Sequence, residues 1–386
     1  MAIYNEGKIL EALKGMDPTK ASRADGFPAM FYQQYWHIIG KDTCDFCLDI
    51  LNNRNSLDEI KMTYLVLIPK TANPTNLKNY RPISLCTVIY KIIAKTVANR
   101  LQNILNGCID EAQNAFVPGR IISDNVLLAY DRVEWYFIRG IMANMGLEDG
   151  FTNFILHCLN SVKYSILING EVGSNFRSSR GLRQGDLLSP YLFLFCGEGL
   201  STLMRLASQE MRILGAKVCT SAPPITHLMF ADDCILFGEV SNRGISLLKE
   251  ILEVCEACSG QCVNFEKSTA FFNSNVGVQD KNLVFQILKV RCSTNPEKYL
   301  GLPNLVGRNK KLAFQNLKDR LKQKINSWSL RHISQGGREV FIKSILQAIP
   351  SYTMACFLLP KALCSELENI MGSFLWRKKY GKRGMH

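Results

Sequence analysis

Two neighbouring carboxylates, Asp232 and Asp233, stand between two short apolar runs in the segment His227–Phe237. Each run is rich in Leu, Ile, Met and Phe and is too short for a helix, so we predict a β-hairpin with Ala231, Asp232 and Asp233 at its turn. Two carboxylates on a stiff turn can share Mg²⁺, which takes oxygen ligands. Two such ions can hold the attacking and leaving oxygens of a phosphoryl transfer. The residues alone equally allow a solvated acidic turn, because Asp is a common turn residue.

Basic side chains gather on a pair of predicted strands and on the helix behind them. The strands lie near residues 62–70 and 79–85, and the helix begins near Val88 with its apolar residues inward and its basic residues outward. The basic residues are Lys70, Lys78, Arg81, Lys91 and Lys95. They suit a triphosphate or a template backbone, although a solvated basic face gives the same pattern.

A polar loop punctuated by glycines, Ser179–Pro190, opens into an apolar helix from Tyr191. Free N–H groups and the positive end of a helix dipole suit phosphate or a nucleotide. Arg180, Arg183 and Gln184 add side-chain donors. A single loop of this type is weak evidence for a binding site, so its weight depends on the other motifs.

The composition is that of a folded protein with a polyanionic partner. The 386 residues are 47% hydrophobic and 20% charged, which allows a sizeable core and two or three domains. Lys and Arg number 46 against 33 Asp and Glu, and the formal charge of +13 favours nucleic acid as the partner. Charge alone also fits a solvated basic surface.

The cysteines and the apolar runs bear on the compartment. The 14 cysteines are scattered and form no compact disulfide framework, so we expect free thiols and an intracellular protein, nuclear or cytoplasmic. Cys255, Cys258 and Cys262 have a partial zinc-like spacing without a second pair, and we expect buried thiols. No apolar run approaches the ~20 residues of a membrane helix, so we expect no membrane partner.

The remaining segments alternate between helical and strand-like patterns. Residues 1–60 and the basic region from Asn309 onward look helical, with Pro350 and Pro360 breaking the later helices. Residues 162–169 read as a strand that ends in the hairpin signal Asn169-Gly170. Residues 245–258 form an amphipathic helix, and residues 263–272 read as a strand pair or a strand-turn.

Six of these motifs occur in one order along the chain: Leu67–Lys70, Tyr80–Leu85, Ala115–Arg120, Arg180–Asp186, Phe230–Asp233 and Tyr299–Pro303. Each is weak alone, but together they are specific. The chain resembles the reverse transcriptase region of non-LTR (LINE-type) retrotransposons, most closely those of plant genomes. Because the endonuclease and RNase H motifs of that family are not present, we expect a fragment of a larger polyprotein or a degenerate copy.

The resemblance implies an α+β right-hand polymerase with fingers, a palm that contains an antiparallel sheet, and a thumb. It implies a helical N-terminal extension at 1–60, fingers at 61–125, a palm at 126–285, and a helical thumb and C-terminal region at 286–386. The implied reaction is nucleotidyl transfer to a primer 3′-OH with Mg²⁺ or Mn²⁺. The implied partners are an RNA template, a DNA primer and deoxynucleoside triphosphates.

The resemblance also implies roles for acidic and basic residues. Asp232 and Asp233 match the palm carboxylates that hold metal and are therefore the implied catalytic residues. Lys70 and Arg81 match the finger positions that face the incoming triphosphate. Lys267 matches a palm lysine that assists the departure of pyrophosphate.

Three further residues match positions beside the nucleotide. Gln184 and Gly185 match the loop that lies against the nucleotide and the template. Tyr130 matches the aromatic residue beneath the sugar, which helps to reject a 2′-OH. These assignments are implied by the resemblance and by nothing else in the sequence.

The chain departs from the family where a third metal-binding carboxylate belongs. Six positions before Asp131 the sequence has Asn125 instead of Asp. Segments 123–130 and 131–135, which the family separates by a few dozen residues, are joined directly. We therefore expect that one palm strand is deleted. Either side of the junction can supply Tyr130, so its assignment stays open.

The departure predicts impaired chemistry. With Asp232 and Asp233 alone, metal affinity and geometry should suffer, and loss of an essential catalytic group can cost on the order of 10⁴ or more in rate. A replacement such as Asp124 or Asp131 must lie within ~2.1 Å of the same ion, which we do not expect. The chain then reads as a defective RNA-directed DNA polymerase. The alternatives are a non-catalytic nucleic-acid-binding remnant and an unfolded or misassembled product.

Overall fold

The computed structural model describes residues 3–19, 27–53, 55–57, 60–113, 115, 130–217, 219–273, 275–293, 298–299, 302–303, 314–326 and 333–376. These residues form helices and short strands, as expected for the α+β class. The helices are α1 (Glu6–Lys14), α2 (Ala29–Gln34), α3 (Trp36–Asn53), α4 (Val88–Cys108), α5 (Trp135–Asn144), α6 (Asp149–Asn160), α7 (Ser189–Gln209), α8 (Asn242–Ser259), α9 (Val278–Leu288), α10 (Gln315–Asn326), α11 (Gln335–Phe341), α12 (Ala348–Cys356) and α13 (Lys361–Leu375). The strands are β1 (Met62–Pro69), β2 (Tyr80–Leu85), β3 (Lys163–Ile168), β4 (Glu171–Val172), β5 (His227–Phe230), β6 (Asp233–Leu236), β7 (Thr269–Phe271), β8 (Arg291–Ser293), β9 (Lys298–Tyr299) and β10 (Leu302–Pro303).

Four strands form a sheet in the order β2-β1-β3-β4. β1 is antiparallel to β2 and parallel to β3. The β3–β4 hairpin turns at Asn169 and Gly170, both of which have positive φ, 51° and 88°. This is the type I′ pattern that Asn-Gly favours, so the predicted strand and its hairpin turn are confirmed. Strand pairs β5–β6, β7–β8 and β9–β10 form separate two-stranded sheets.

Helix α4 is covered on more sides than its sequence predicts. Val88, Ile92 and Leu101 are buried, as expected, but Lys91 is buried as well, although we predicted that it faces outward. The reason is that α1, α3 and α7 all contact this helix. Lys91 is therefore not part of a basic surface.

Two compact units divide the chain. The first comprises Met1–Thr269 and Ser274–Arg291, and the second comprises Ala270–Asn273 and Cys292–His386. Apolar side chains build the core of the second unit, namely Phe314, Leu317, Leu321, Leu346, Leu359, Leu363, Leu367 and Phe374. Pro360 immediately precedes α13, as predicted for a helix breaker. Pro350 instead lies in the first turn of α12, which follows the π-helical turn Ile342–Leu346.

The cysteines that the structure describes are free thiols. Cys258 and Cys262 are exposed, so the prediction of buried thiols is wrong for these two, because the end of α8 and the segment after it lie at the surface. Within the described ranges, no helix has the length and apolar character needed to cross a membrane.

Candidate active site

The hairpin predicted around Asp232 and Asp233 is present. Strands β5 and β6 are antiparallel, and Phe230 pairs with Asp233, so Ala231 and Asp232 form a two-residue turn. Ala231 has a φ of 53°, which lies in the left-handed region that residues other than glycine rarely adopt. The turn therefore presents two adjacent carboxylates from a backbone that needs support.

Helix α7 packs against this hairpin. His227 Nε2 lies 3.1 Å from Ser201 Oγ, and a Cβ on Gly197 would lie 3.1 Å from Met229 Cε. Strand β5 therefore packs against the middle of α7.

The two carboxylates differ in their surroundings. Asp232 is half-buried and Asp233 is exposed. The pKa of Asp232 is raised above its ordinary value of 3.8, mainly by burial and to a smaller extent by the neighbouring charge of Asp233. The backbone N–H of Asp232 and the ammonium of Lys267 lower this pKa and so oppose part of the shift. Burial also raises the pKa of Asp233. Asp232 Oδ1 is a buried acceptor without a hydrogen-bond partner among the described residues, and a cation would satisfy such an oxygen.

The exposed Lys267 lies in the turn that follows α8. Its backbone N–H donates to Asn264 O and Asn264 Oδ1, each at 3.1 Å. Its ammonium lowers the pKa of Asp232, so the two side chains interact electrostatically. Residues 263–272 form a turn followed by β7, which is the strand-turn alternative.

The loop that carries Gln184 and Gly185 extends the four-stranded sheet at its β2 edge. Ser84 N donates to Gln184 O at 3.0 Å. Gly185 has a φ of +94°, and a Cβ added there would lie 3.5 Å from Ser84 O and 3.8 Å from Ile83 Cγ2. The glycine is therefore required by its backbone conformation and not by lack of space.

Arg183 in the same loop is not an available donor, which corrects our prediction. The residue is 4% exposed, and its Nη2 lies 2.6 Å from Asp186 Oδ2 and 3.2 Å from Cys158 O. The Tyr90 hydroxyl also contacts Arg183 and donates to Asp186 Oδ2 at 3.1 Å, and burial raises the pKa of Tyr90 well above its usual range. Asp186 Oδ1 accepts from Leu188 N at 3.0 Å, just before α7 begins.

Lys70 and Arg81 lie on one face of the β1–β2 pair. Ile68 pairs with Arg81, and Lys70 follows Ile68 by two residues, so the three side chains share a face. Lys70 N donates to Asn79 O at 2.7 Å, which continues the pairing beyond the strands. Arg81 Nε is buried and has no hydrogen-bond partner among the described residues. Ile83, two residues after Arg81, places Gly185 next to the same face.

Residues 68–303 match the family described as Reverse transcriptase (RNA-dependent DNA polymerase). The chain belongs to this family. The match covers more than half of the chain and includes every predicted site residue, from Lys70 to Lys267. The matched region thus contains both groups of predicted site residues. One group is Lys70 and Arg81 with the Gln184–Gly185 loop, and the other is the two carboxylates with Lys267.

Three relatives show the range of the similarity. The uncharacterized protein of transposon TX1 from Xenopus laevis is 24% identical over 97% of this chain and 30% of its own length. An uncharacterized mitochondrial protein of Arabidopsis thaliana is 52% identical over 28% of this chain and 86% of its own length. The Pol polyprotein of the type-2 retrotransposable element R2DM from Drosophila melanogaster is 27% identical over 49% of this chain and 19% of its own length. The chain spans less than a third of the TX1 and R2DM proteins, and the expected membership in non-LTR retrotransposon reverse transcriptases is confirmed.

The reverse transcriptase motif around Tyr130 lies partly outside the described residues. Asp124, Asn125 and the side chain of Tyr130 fall outside them, so the deletion and the sugar contact stay predictions. Residues 130–132 form one 3₁₀ turn with Asp131 exposed. Over the part of the chain that is described, no group of three or more His, Cys, Asp or Glu is placed to hold a metal ion.

Sequence reasoning missed two residues that hold this reverse transcriptase site together. Trp135 Nε1 donates to Gly181 O at 2.7 Å, and Gly181 N donates to Val133 O at 2.8 Å. Gln113 Oε1 accepts from Ala231 N at 3.1 Å. No local pattern could have revealed these contacts, because their partners are distant in sequence.

Proposed function

We propose that the chain is the RNA-directed DNA polymerase domain of a non-LTR retrotransposon, with severely weakened catalysis. The reaction is nucleotidyl transfer from a deoxynucleoside triphosphate to a primer 3′-OH on an RNA template. The observation that carries the proposal is the Asp232–Asp233 turn within the family match, with a buried carboxylate oxygen for which the described residues supply no hydrogen-bond donor.

Asp232 and Asp233 are the proposed ligands of Mg²⁺ or Mn²⁺. The donor set fits, because both cations take carboxylate oxygens and Asp232 Oδ1 has no competing donor among the described residues. When bound, the cation supplies positive charge that activates the 3′-OH and neutralises the phosphates. Burial raises the pKa of both carboxyls, and a bound cation would act against this by favouring their charged forms.

The other proposed roles follow from where each residue lies. Lys70 and Arg81 share one face of the sheet and offer cationic donors to a triphosphate. Gln184 lies at the edge of that sheet, where its backbone O accepts from Ser84 N, and with Gly185 it would lie against the nucleotide and template. Lys267 provides positive charge beside the carboxylates, where pyrophosphate departs. Tyr130 would lie beneath the sugar.

We assign the right-hand polymerase parts as follows. Residues 1–60 are an N-terminal extension, 61–125 are the fingers, 126–285 are the palm and 286–386 are the thumb and C-terminal region. The β5–β6 hairpin then belongs to the palm sheet. We attribute the impairment to Asn125 and to the direct joining of segments 123–130 and 131–135, which removes the third carboxylate and its strand.

Primer extension tests this proposal. Wild-type protein is incubated with an RNA template, a DNA primer and deoxynucleoside triphosphates, with Mg²⁺ or Mn²⁺, beside an active reverse transcriptase as assay control. We expect little or no extension. Robust extension that disappears in Asp232→Asn and Asp233→Asn would keep the polymerase assignment and refute the impairment. Extension that survives both substitutions would refute the assigned site.

A non-catalytic nucleic-acid-binding remnant is the second candidate, and α10 favours it. Arg320, Lys322 and Lys324 are exposed on this helix, while Leu317 and Leu321 face the core. We expect the affinity for RNA and DNA to fall steeply as salt rises, with a linear log–log plot. Fluorescence anisotropy measures it, and no binding at low salt would contradict this candidate.

A further inference from the structure

Gln113 lies behind the carboxylate turn and is 2% exposed. Its Oε1 accepts hydrogen bonds from Ala231 N at 3.1 Å and from Ala115 N at 3.0 Å. One amide oxygen has two lone pairs and can serve both donors. The two N–H groups also fix which end of the side-chain amide faces the turn.

The turn needs this hydrogen bond. Ala231 is 2% exposed, so its N–H cannot turn to water, and its φ of 53° is unfavourable for alanine. A buried N–H that loses its acceptor is costly. Gln113 therefore satisfies the backbone group that directly precedes Asp232.

The surroundings of Gln113 make it part of a continuous support. Met229 N donates to Ala112 O at 2.8 Å, so residues 112–113 lie alongside β5 in a parallel bridge. Gly197 of α7 lies beside the side chain, because a Cβ there would be in ordinary van der Waals contact with Gln113 Nε2, at 3.5 Å. The glutamine side chain thus lies between the helix and the turn.

We propose that Gln113 is a positioning residue for the carboxylate turn. Its side-chain oxygen holds the backbone of Ala231, and through it the direction in which Asp232 and Asp233 present their oxygens to a divalent cation. The part that concerns the cation rests on the proposed function. The part that concerns the backbone of the turn does not.

The test compares Gln113→Met with Gln33→Met. Methionine has nearly the length of glutamine and no amide acceptor. Gln33 is a matched control because its Nε2 makes two hydrogen bonds, to Leu13 O at 2.9 Å and Met16 O at 3.0 Å, far in sequence from the hairpin. Two readouts are taken: hydrogen exchange of a peptide covering residues 229–233, and Mn²⁺ affinity measured by electron paramagnetic resonance. The double variant Asp232→Asn/Asp233→Asn defines binding at the turn.

We expect Gln113→Met to speed exchange of the 229–233 peptide about tenfold or more and to weaken Mn²⁺ binding by a similar factor. Gln33→Met should leave both unchanged. Wild-type exchange in Gln113→Met, or equal effects of the two variants, would overturn the proposal. If Gln113→Met does not fold, fast exchange of Ala231 N–H in the wild type would overturn it and slow exchange would support it. If wild-type Mn²⁺ binding is indifferent to the aspartate double variant, the proposed metal site fails, and the exchange readout alone decides the role of Gln113.

Discussion

The loop that carries Gln184 and Gly185 is held by a buried ion pair, whereas the turn that carries Asp232 and Asp233 is held by neutral hydrogen bonds. Behind the loop, Arg183 and Asp186 lie 2.6 Å apart with almost no exposed surface. Behind the turn, the described supports are Gln113, the β5–β6 pairing and the contacts with α7.

This difference shows how the same chain supports an uncharged loop and a charged turn. A carboxylate turn that is to hold a cation cannot have a strong cationic partner buried behind it, because that partner would compete for the same oxygens. Neutral acceptors such as Gln113 hold the backbone and leave the carboxylates free. The loop has no such restriction, since Gln184 and Gly185 carry no charge, and a buried ion pair can lock it.

The largest expected effect is at the ion pair. Arg183→Met leaves the Asp186 carboxylate buried without its counter-charge, and we expect a loss of about 3–5 kcal/mol in the free energy of unfolding. Urea denaturation followed by circular dichroism measures it. The double variant Arg183→Met/Asp186→Leu removes both charges and should recover part of the loss. Recovery should be incomplete, since Asp186 also accepts hydrogen bonds from Tyr90 and Leu188 N.

Arg205→Met is the matched control for this prediction. Arg205 also lies 2.6 Å from a carboxylate, that of Asp110, but its side chain is 44% exposed. Arg205 bridges Asp110 and Glu198, which are 17% and 8% exposed. Because its own guanidinium is partly in water, we expect Arg205→Met to cost less than Arg183→Met. If Arg183→Met costs no more than Arg205→Met, burial does not strengthen the dependence of the loop on its ion pair, and the comparison between loop and turn is wrong.

The next largest effect compares the backbone of the loop at Gly185 with the backbone of the turn at Ala231. Gly185→Ala places a Cβ in ordinary van der Waals contact with Ser84 and Ile83 but at a φ of +94°, so we expect a loss of about 1–2 kcal/mol from backbone strain. Ala231→Gly relieves the strain at a φ of 53°, but the freer unfolded chain offsets it, so the net change should stay within about 1 kcal/mol. Denaturation midpoints with unchanged slopes measure both.

Gly140→Ala on α5 controls for the change of residue type. No atom lies within 4 Å of a Cβ added there, and in a helix the change should stabilise by about 0.5–1 kcal/mol. A Gly185→Ala variant that gains stability as Gly140→Ala does would show that the loop tolerates other backbone conformations.

Local patterns predicted the elements, and long-range partners decided the roles. The two short apolar runs around Asp232 and the Asn169-Gly170 signal were sufficient for both hairpins. Arg183 was misassigned because a basic residue in a polar loop has the same sequence pattern whether it faces a ligand or a buried aspartate. Its inward orientation depends on Tyr90 and Cys158, which come from α4 and α6.

Gln113 shows the same limit more clearly. It lies 118 residues from Ala231 in sequence, and no periodicity or turn signal joins the two. Its role can be recognised only in the folded structure, where β5 lies against residues 112–113. The prediction that Lys91 faces outward was wrong for a related reason. The amphipathic pattern of α4 did not reveal that three other helices contact α4.

The smallest expected effect concerns Asp232 and tests whether its charged carboxylate lowers the stability of the folded protein. The pKa of Asp232 is raised in the folded protein, mainly by burial, so the folded state binds the proton more tightly than the unfolded chain. This contribution to stability is fully present below the ordinary value of 3.8 and is lost as pH rises through the folded pKa. Asp232→Asn removes the titration.

We therefore expect the melting temperature of Asp232→Asn to match that of the wild type near pH 3.8 and to exceed it at neutral pH. Asp42→Asn, on the exposed side of α3, is the control for replacing a surface Asp by Asn. Added Mn²⁺ should then raise the melting temperature of the wild type toward that of Asp232→Asn, because a ligand that binds only the folded state stabilises it. If the melting temperature of the wild type equals or exceeds that of Asp232→Asn at neutral pH without metal, the protein itself stabilises the charged Asp232 carboxylate. In that case the contrast with the ion-paired loop would disappear.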